Sequence, residues 1–596
     1  MKNTVPTFIP GCTNRTPLSG TVLLAGLGGF WVIFLHICWP NHGGNGTDLP
    51  GNLLAWCFIF ILCTLFWYLR PNSLKIESGI TIPWLAAGAI LMSLPLLWSP
   101  SSATFYYALP RIAGLWAGLG FLFTLRQCRF NAQQRQLLMY CLSAAGGVEA
   151  MIVLLELYGP SSCLPHVWQK FIHVNGRMAV GVFQQVNVTS SFLALALTTT
   201  LLLLGMRKAA LTSRLGEYIR LVALGCTVIL LVTVLSTVYS RTGWLGGIIA
   251  IAGIYILLTF SSFSLEGQYQ WLLIILPAIG VALGLGVMHL SVSQALTIHD
   301  GSNSQRLLTL YHTFFYALHH PFIGYGAGTY EGYYQAYLAA LPGGNPGTEV
   351  MSFPHNELLY QFAEGGFVGL AGALCWCALY LWLWRNAKTL LQAGALTAML
   401  PILLHTQVEY PLYYSVPHWL ALLLLLRLAD NEYPAKSVTG TIRKLSISGR
   451  VAMIVLALYG SVVSLQAYRS GQVLDRFENI ELTRPEQIEA LNVPWIHHLR
   501  YQQDLTLLRL IRFQAHPDKD SLQAFTQENQ QWLSVHPWTP LYENQIAVLY
   551  YLHEDAEARR WLHQARLTIP WKFRPQPRTQ QKHRLNRPES NQATSG

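Results

Sequence analysis

The stretch LLAWCFIFILCTLFWYL at residues 53–69 carries no charged residue in seventeen consecutive positions. An apolar helix of roughly 17 to 25 residues can cross the hydrocarbon core of a bilayer. Stretches of the same kind recur over roughly the first three quarters of the chain. They predict thirteen transmembrane helices, near residues 20–38, 53–69, 80–98, 111–125, 137–157, 188–206, 220–238, 243–262, 270–290, 366–384, 391–408, 415–427 and 451–467.

The composition excludes an ordinary soluble protein, because 52% of the residues are hydrophobic and only 11% are charged. We therefore predict an all-α polytopic membrane protein, whose first span is an uncleaved anchor. The net charge of +11 reflects the membrane topology and a basic tail, so nucleic acid is not an expected partner. The ten cysteines lie mostly in spans or on the cytoplasmic side, and no disulfide framework is expected.

The loops between the predicted spans divide unequally in charge. If the N-terminus is cytoplasmic, the cytoplasmic connections hold most of the Lys and Arg residues of the membrane region, as the positive-inside rule requires. The opposite connections hold five, which are Arg111, Lys170, Arg177, Arg241 and Arg306. These five cations lie on the same side as His355, so the sequence places its chemically interesting residues outside the cytoplasm.

The chain divides into three predicted parts. Residues 1–467 form a transmembrane catalytic domain with a large outer loop at 291–365. Within that loop, Arg306 opens a stretch with apolar residues at helical spacing, which predicts an amphipathic helix lying on the membrane lipids. Residues 468–571 predict a helical domain, in which Asn544 to Pro570 resemble one tetratricopeptide unit with small packing positions. Those positions are Ala547, Ala556, Ala558 and Ala565. Residues 572–596 predict a disordered basic tail.

Three arginines on the outer side are candidates for binding a lipid-linked diphosphate. Arg177, Arg241 and Arg306 lie close to predicted span ends, and a guanidinium group can contact phosphate with two parallel hydrogen bonds. The alternative for each is that it reaches toward lipid headgroups or anchors a helix end. Lysine is nearly absent from the same loops, which favours the binding interpretation for the group.

His355, in the segment SFPHNELLYQ, is the candidate general base. A neutral imidazole can take a proton from a hydroxyl group at neutral pH, and Asn356 or Glu357 could orient it. The alternative is a polar residue at a helix start. The segment QVEYPLYYS adds Glu409 and Tyr410 on the same side, with an interfacial aromatic belt as the alternative.

Other clusters favour structural interpretations. The glycines at 324, 326 and 328 predict a tight turn rather than a phosphate loop. The adjacent pairs His319–His320 and His497–His498 do not share a helix face and offer no third ligand, so no metal is expected. Asp518, which precedes Asp520 in a D-x-D pattern, predicts a helix N-cap.

Two segments, HPFIGYGAGTY (320–330) and PHNELLYQFAEGGFVGL (354–370), resemble the signature region of the bacterial O-antigen ligase and polymerase superfamily, as does SRTG (240–243). GRMAVGVFQQVN (176–187), EYPLYYS (409–415) and the helical C-terminal domain resemble one branch of it more specifically. That branch comprises the protein O-oligosaccharyltransferases, which glycosylate pilins and other periplasmic proteins.

The resemblance implies a GT-C-like enzyme of the bacterial inner membrane, with its active site and C-terminal domain in the periplasm. Such an enzyme moves an oligosaccharide from undecaprenyl diphosphate to Ser or Thr hydroxyls, without cofactor, metal or nucleotide. It implies that His355 is essential. One departure from the family pattern is the doubled histidine of HHPF, so His320 could be mistaken for the catalytic residue. It also implies donor or glycan contacts at Arg177, Gln185, Asn187, Arg241, Arg306 and Tyr410.

Three alternatives remain open from the sequence. An O-antigen ligase would use the same donor with a lipid A core sugar as acceptor, and an O-antigen polymerase would use a second lipid-linked glycan. The helical C-terminal domain favours a protein acceptor. A polysaccharide transporter or flippase would place ionisable residues near the bilayer midplane, whereas the candidates here lie in outer loops.

Overall fold

The structure is a computed structural model that describes residues 17–37, 39, 41, 46–71, 79–206, 213–260, 270–288, 300–430, 442–479 and 485–573. The predicted tail lies almost entirely outside the described residues. Lys2 and Arg15 also lie outside the described residues. They are two of the cations on which the predicted cytoplasmic position of the N-terminus depends. The described part of the chain is helical and contains no β-strand.

The helices are numbered here in chain order. The first ten are α1 (Leu18–Val32), α2 (Pro50–Leu69), α3 (Thr81–Ser93), α4 (Ser102–Arg126), α5 (Ala132–Tyr158), α6 (His166–Asn175), α7 (Val186–Gly205), α8 (Arg214–Thr237), α9 (Arg241–Phe260) and α10 (Leu272–Met288). The next six are α11 (Asp300–Leu318), α12 (Tyr330–Ala339), α13 (Glu357–Arg385), α14 (Leu390–His405), α15 (Pro411–Tyr414) and α16 (Val416–Ala429). The last seven are α17 (Ile442–Asn479), α18 (Pro485–Glu489), α19 (His498–Ala515), α20 (Lys519–Val535), α21 (Thr539–Tyr551), α22 (Asp555–Thr568) and α23 (Pro570–Phe573). Short 3-10 helices lie at Phe34–His36, Gly46–Asp48, Leu94–Trp98, Ser161–Cys163, Gly181–Phe183 and Trp495–His497.

The predicted polytopic all-α fold is confirmed, since an apolar helix lies at each of the thirteen predicted spans. Ten of the described helices are long and apolar enough to cross a membrane, and α10, α14 and α16 are shorter apolar helices. The starts of several spans differ from the prediction, by about nine residues in α4, α13 and α17. Ser101 caps α4, and Asn356 caps a first segment of α13 that ends at a kink at Gly366, the residue where the predicted span begins. Helix starts follow the caps, whereas hydropathy reports only the apolar part.

Helix α7 forms the centre of the bundle. It packs against α5, α8, α9 and α14, and its span is buried along its whole length. Its many hydroxyl side chains are satisfied inside the helix or by a neighbour. The Thr198 hydroxyl donates to the Ala194 carbonyl at 2.8 Å, and Thr200 lies 2.7 Å from Ser143 of α5. Small hydroxyl residues allow close helix packing without leaving a polar group unpaired.

Basic side chains gather at the bundle end where α2, α4 and α16 finish. Arg126 forms an ion pair with Asp430, and Arg70 donates to the Gln127 carbonyl at 3.1 Å. Arg427 donates to the Cys128 carbonyl at 2.6 Å. The starts of α2 and α16 meet at the other end, where the Val416 N–H donates to the Asn52 side chain at 2.8 Å. The candidate site, described below, lies at that other end. The structure thus separates the two predicted sets of charges along the bundle.

The loop between α10 and α13 folds into α11, α12 and a glycine turn. Helix α11 begins at Asp300, so the prediction that Arg306 opens it was wrong by six residues. One face of α11 is exposed and apolar, comprising Leu307, Tyr311, Phe314, Phe315 and Leu318. The glycine turn is structural, as predicted. Gly328 has φ +79° and its N–H donates to the Glu364 carboxylate at 3.0 Å, while an added Cβ would lie 2.1 Å from a backbone oxygen of α4.

The C-terminal helices pair in sequence order, α19 with α20, α20 with α21 and α21 with α22. Helix α17 continues unbroken past residue 468, where the sequence changes character. Ala558 and Ala565 are buried in the α21–α22 pair, as predicted. Ala547 and Ala556 are exposed, so those two packing assignments were wrong. Ala547 lies on the face of α21 opposite Tyr542, Ile546 and Leu549, which make its buried stripe. The predicted N-cap at Asp518 is confirmed by its bond from the Ser521 N–H at 3.2 Å.

The C-terminal helices dock onto α12 and the start of α4. Glu331 of α12 forms an ion pair with His536 and accepts a hydrogen bond from the Tyr107 hydroxyl at 2.7 Å. The Asn345 side chain donates to the Thr568 carbonyl at 2.8 Å. An apolar cluster that includes Ala103, Trp532, Val535 and Tyr542 closes the interface. The helical domain is therefore held against the site end of the bundle.

We expect this docking to weaken as the pH rises above neutral. Burial alone would lower the pKa of His536, but the Glu331 carboxylate raises it above its ordinary 6.5. A histidine whose pKa rises on folding stabilises the folded state fully below 6.5, and the contribution disappears as the pH passes the raised value. Burial would raise the pKa of Glu331, but His536 lowers it below 4.5, so its contribution is lost only on acidification.

Hydrogen exchange in α21, corrected for the intrinsic rate, checks this expectation between pH 5.5 and 9. In the wild type, protection of α21 should fall across that range. In His536→Gln, which carries no titrating group at this position, it should stay flat. The same decline in both proteins would contradict a role for the ion pair.

Candidate active site

His355 lies in a strained turn that is pinned to the segment after α14. Its φ of +59° is in the left-handed region, which a residue with a Cβ seldom adopts. The next residue, Asn356, caps α13 by accepting the Leu359 N–H at 2.9 Å, and its amide donates to the Gln407 carbonyl at 3.2 Å. The Glu357 N–H donates to the Thr406 carbonyl at 2.9 Å. These bonds fix the backbone on both sides of the imidazole.

The His355 imidazole lies against Tyr410, with ring centroids 5.0 Å apart. Burial lowers the pKa of His355 to about 4, although the nearby Glu409 carboxylate opposes the shift and Arg306 reinforces it. The ring is therefore neutral at pH 7. Its Nδ1 atom is buried, and the Val408 backbone lies within hydrogen-bonding reach of the imidazole. A neutral imidazole is suited to accept a proton.

Glu409 is the point where the site residues from distant parts of the chain meet. Its carboxylate pairs with Arg306 and accepts the Asn187 amide at 2.7 Å and the His405 Nε2 at 3.1 Å. The Gln185 amide lies 3.5 Å away. Burial would raise the pKa of Glu409, but the His405 hydrogen bond and the charge of Arg306 lower it. The group is thus held as a carboxylate.

The segment QVN and the segment SRTG meet beside Glu409. Gln185 caps α7 by accepting the Val188 N–H at 2.6 Å, which leaves its amide nitrogen toward Glu409. Asn187 accepts the Ser240 hydroxyl at 2.6 Å. Ser240 in turn accepts the Gly243 N–H at 2.9 Å at the start of α9, where Arg241 is the first residue. The two motifs singled out from the sequence therefore form one hydrogen-bonded unit.

The structure does not join all three predicted arginines. Arg177 donates to the Glu156 carbonyl at 2.8 Å and to the Ser161 hydroxyl at 3.3 Å, and it makes no contact with Glu409 or Arg306. Arg306 reaches the centre of the site. Arg306 is also not the isolated cation that the sequence suggested, because a carboxylate takes one of its nitrogens. Its side chain remains 29% exposed, which leaves part of the guanidinium accessible.

Glu357 does not orient His355, contrary to one of the two predicted possibilities. Its carboxylate accepts the Tyr413 hydroxyl at 2.7 Å and the Gln361 amide at 2.9 Å. Arg111 belongs to the same cluster, and its guanidinium lies 4.6 Å from the centre of the Tyr360 ring. Arg111 also pairs with Glu364 at 2.6 Å. The sequence interpretation left this second cluster out, although Arg111 at the start of one apolar stretch and Glu364 just before another were a signal for it.

A cavity of about 800 Å³ runs down from this second cluster into the bundle. Most of its polar residues lie at the end nearest to the His355 turn, namely Arg111, Glu357, Gln361, Thr406, Gln407 and Tyr413, whereas Tyr380 lies farther along α13. The rest of its wall is apolar and includes Leu85, Leu379, Leu403 and Leu423. Trp376 and Trp419 stack against each other in this wall, with ring centroids 5.7 Å apart. The space suits a long hydrocarbon chain with a polar end.

The remaining histidine pairs do not join the site. Among the described residues, no three His, Cys, Asp or Glu side chains are grouped so that they could hold a metal ion. His320 is exposed and packs on Tyr325, with ring centroids 4.3 Å apart. His497 is buried in the C-terminal domain beside Ser470.

Two protein-family models match the chain. Residues 225–374 match the family described as O-Antigen ligase, and residues 393–583 match the family described as Virulence factor membrane-bound polymerase, C-terminal. No curated protein gives a significant match. The first match includes Arg306 and His355, and the second includes Glu409.

The fold and these matches define a multi-pass membrane protein of the ligase and polymerase type. The two matches place residues 225–374 and 393–583 in the O-antigen ligase and polymerase superfamily. The superfamily indicated by the sequence is thereby confirmed, and the protein O-oligosaccharyltransferase branch stays a prediction.

Proposed function

We propose that this protein transfers an oligosaccharide from undecaprenyl diphosphate to Ser or Thr hydroxyls of periplasmic proteins such as pilin. The observation that carries the proposal is the meeting of His355, Arg306 and Glu409, close in sequence to Glu357 and Gln407, which line the polar end of an apolar cavity. A transferase of this kind needs a base for the acceptor, a cation for the leaving diphosphate and a place for the lipid. The family matches also favour a transferase over a transporter or flippase.

The donor side rests on Arg306 and the cavity. The exposed part of the Arg306 guanidinium offers N–H groups to a diphosphate, and Arg241 lies at the adjoining start of α9. Charge develops on the diphosphate as its bond to the sugar breaks. A well-placed donor lowers such a barrier by roughly 3 to 4 kcal/mol. The cavity beside the His355 turn takes part of the polyprenyl chain.

The acceptor side rests on His355. The acceptor hydroxyl oxygen attacks the anomeric carbon from the face opposite the diphosphate, and its proton passes to the His355 imidazole. The bond from the anomeric carbon to the phosphate oxygen breaks, the electron pair leaves with the diphosphate, and the configuration inverts. The carboxylate of Glu409 offsets the positive charge gained by the imidazole, which then returns its proton to water. The negative charge of the donor makes His355 a stronger base than it is in the free enzyme.

The acceptor class rests on the C-terminal helices. They are docked on α12 through Glu331 and His536, at the site end of the bundle. This position allows them to present a folded protein to the site. An O-antigen ligase or an O-antigen polymerase would use the same donor residues with a glycan acceptor.

Reconstituted vesicles distinguish these acceptors. The enzyme is supplied with one lipid-linked oligosaccharide and, in separate reactions, with pilin, lipid A core or a second lipid-linked glycan. The proposal predicts a glycan-sized mass gain on pilin. Product only on lipid A core, or only as longer lipid-linked chains, would transfer the assignment to the ligase or the polymerase.

We expect Ala373→Trp to weaken use of a long-chain donor. Ala373 lines the cavity, so an indole there takes the space of the lipid chain. Burial stabilises each methylene by about 0.8 kcal/mol, and displacing two of them raises the donor KM roughly tenfold. Turnover with a donor carrying a short prenyl chain should be nearly unchanged.

Leu374→Trp is the matched control, because Leu374 is the next residue of α13 and is 48% exposed on the outside of the bundle. It should leave the KM for both donors close to that of the wild type. An equal KM for long and short donors in Ala373→Trp would show that the cavity does not hold the lipid.

A further inference from the structure

A line of buried polar side chains leads from Glu409 into the core of the bundle. His405 ends α14, Ser191 lies on α7, and His418 lies on α16, and each is at most 1% exposed. Ser415, which caps α16, completes the line and is 2% exposed. Polar groups in such surroundings are costly unless each one is hydrogen-bonded. The mechanism described above uses none of these four side chains.

The Val188 carbonyl fixes the tautomer of His418. Its oxygen, which can only accept, lies 3.0 Å from His418 Nε2, so Nε2 carries the hydrogen. A buried imidazole without an acidic partner is neutral, and its Nδ1 therefore accepts a hydrogen bond. The Ser415 hydroxyl lies 2.7 Å from that nitrogen and donates to it. The direction of the first bond in the line is thereby set.

Ser191 links His418 to His405. The Ser191 oxygen lies 3.1 Å from His418 Nε2 and 2.8 Å from His405 Nδ1, and its hydroxyl donates to the Val188 carbonyl at 3.0 Å. The Glu409 carboxylate can only accept, so His405 Nε2 carries a hydrogen and donates it to Glu409 at 3.1 Å. His405 is therefore held through both ring nitrogens, by Ser191 from the core and by Glu409 at the site.

We propose that His405, which Ser191 holds from the core of the bundle, is a positioning residue for the transfer reaction. It holds one oxygen of Glu409, which leaves the other oxygen for Arg306 and Asn187. The carboxylate is then fixed between the cation that receives the diphosphate and the imidazole that receives the proton. His405 is fully buried and touches no substrate, so it acts through Glu409. The proposal rests on the proposed transferase function.

The test measures kcat and KM for two substitutions of His405, in vesicles that contain a lipid-linked donor and the acceptor that the wild-type enzyme uses. His405→Phe keeps the ring and removes both hydrogen bonds. It should lower kcat on the order of 10- to 100-fold, the range found when an orienting partner behind a functional group is lost, with KM changed less than about threefold. His405→Gln places an amide N–H near the former Nε2 and should recover most of that loss.

Two further variants keep the proposal testable if His405→Phe does not fold. Ser191→Ala removes the hydrogen bond to His405 Nδ1 and should lower kcat by roughly three- to tenfold. In a Glu409→Gln background, the additional effect of Ser191→Ala or His405→Phe should be less than about twofold, because residues that act through one another are not additive. His497→Phe, at a buried histidine in the C-terminal domain that also bonds a serine, is the matched control and should keep kcat.

Either of two results would overturn the positioning role. One is a His405→Gln enzyme as slow as His405→Phe, and the other is effects of His405 and Glu409 substitutions that multiply. Failure of the proposed function would look different, because the wild-type enzyme itself would then transfer no glycan. The positioning role would be rejected together with the transferase function in that case.

Discussion

Replacing His355 with alanine is expected to lower the turnover number by roughly 10²- to 10⁴-fold, the usual contribution of a general base. The imidazole is neutral, and its turn is pinned on both sides. The measurement is the rate of undecaprenyl diphosphate release in vesicles, with the amount of folded enzyme checked for each variant.

His320→Ala is the matched control for this change. The sequence carries two adjacent histidines before the glycine turn, and the second of them is the competing candidate. His320 is exposed and packs on Tyr325. The His320→Ala enzyme should keep its turnover number within about threefold of the wild type. An inactive His320→Ala beside a His355→Ala that retains more than about a tenth of the activity would assign the base to His320.

Arg306→Lys is expected to lower kcat/KM for the lipid-linked donor by roughly 100-fold. The guanidinium contacts Glu409 through one nitrogen and has others left for the diphosphate. An ammonium is a single compact donor group and cannot serve both partners in the same geometry. The loss corresponds to about 2.7 kcal/mol, within the range for a charge-assisted hydrogen bond. Steady-state kinetics at varied donor concentration measures it.

Arg500→Lys controls for the general cost of changing a buried arginine. Arg500 pairs with Glu478 at 2.7 Å in the C-terminal helices, with 12% of its side chain exposed. Its replacement should reduce stability and leave kcat/KM within about threefold of the wild type. Near-normal kinetics in Arg306→Lys would show that the positive charge alone matters and that the paired N–H groups of the guanidinium do not hold the donor.

The span pattern was predictable because hydropathy is a local property of the chain. Thirteen apolar stretches became thirteen helices, and the charge bias of their connections appears as Arg70, Arg126 and Arg427 at one end of the bundle. The caps at Ser101 and Asn356 were harder to predict from the sequence. In each case a single polar residue starts the helix several residues before the apolar part.

The members of the site were predictable one by one, but their partners were not. His355 and Glu409 were both selected from short motifs. Their meeting with Asn187 and Arg306 depends on how α7, α11 and α14 pack, and sequence spacing does not report that packing. The sequence accordingly assigned Arg306 to the diphosphate alone and overlooked that Glu409 would pair with it.

Buried charges were the main omission. Arg111 and Glu364 lie well inside apolar helices, and they pair with each other beside the cavity. His405 was not selected either, because a single histidine at the end of an apolar stretch is a weak signal. Its significance follows from Ser191 and Glu409, which are distant from each other in sequence and converge on its two ring nitrogens.

The most direct test of the account is intact-mass spectrometry of pilin from a Gram-negative host that makes one lipid-linked glycan. The host expresses either the wild-type enzyme or His355→Ala at equal membrane levels. The account predicts a glycan-sized mass gain on pilin with the wild type and none with the variant. Pilin of unchanged mass with the wild type, or equal modification with both enzymes, would contradict it.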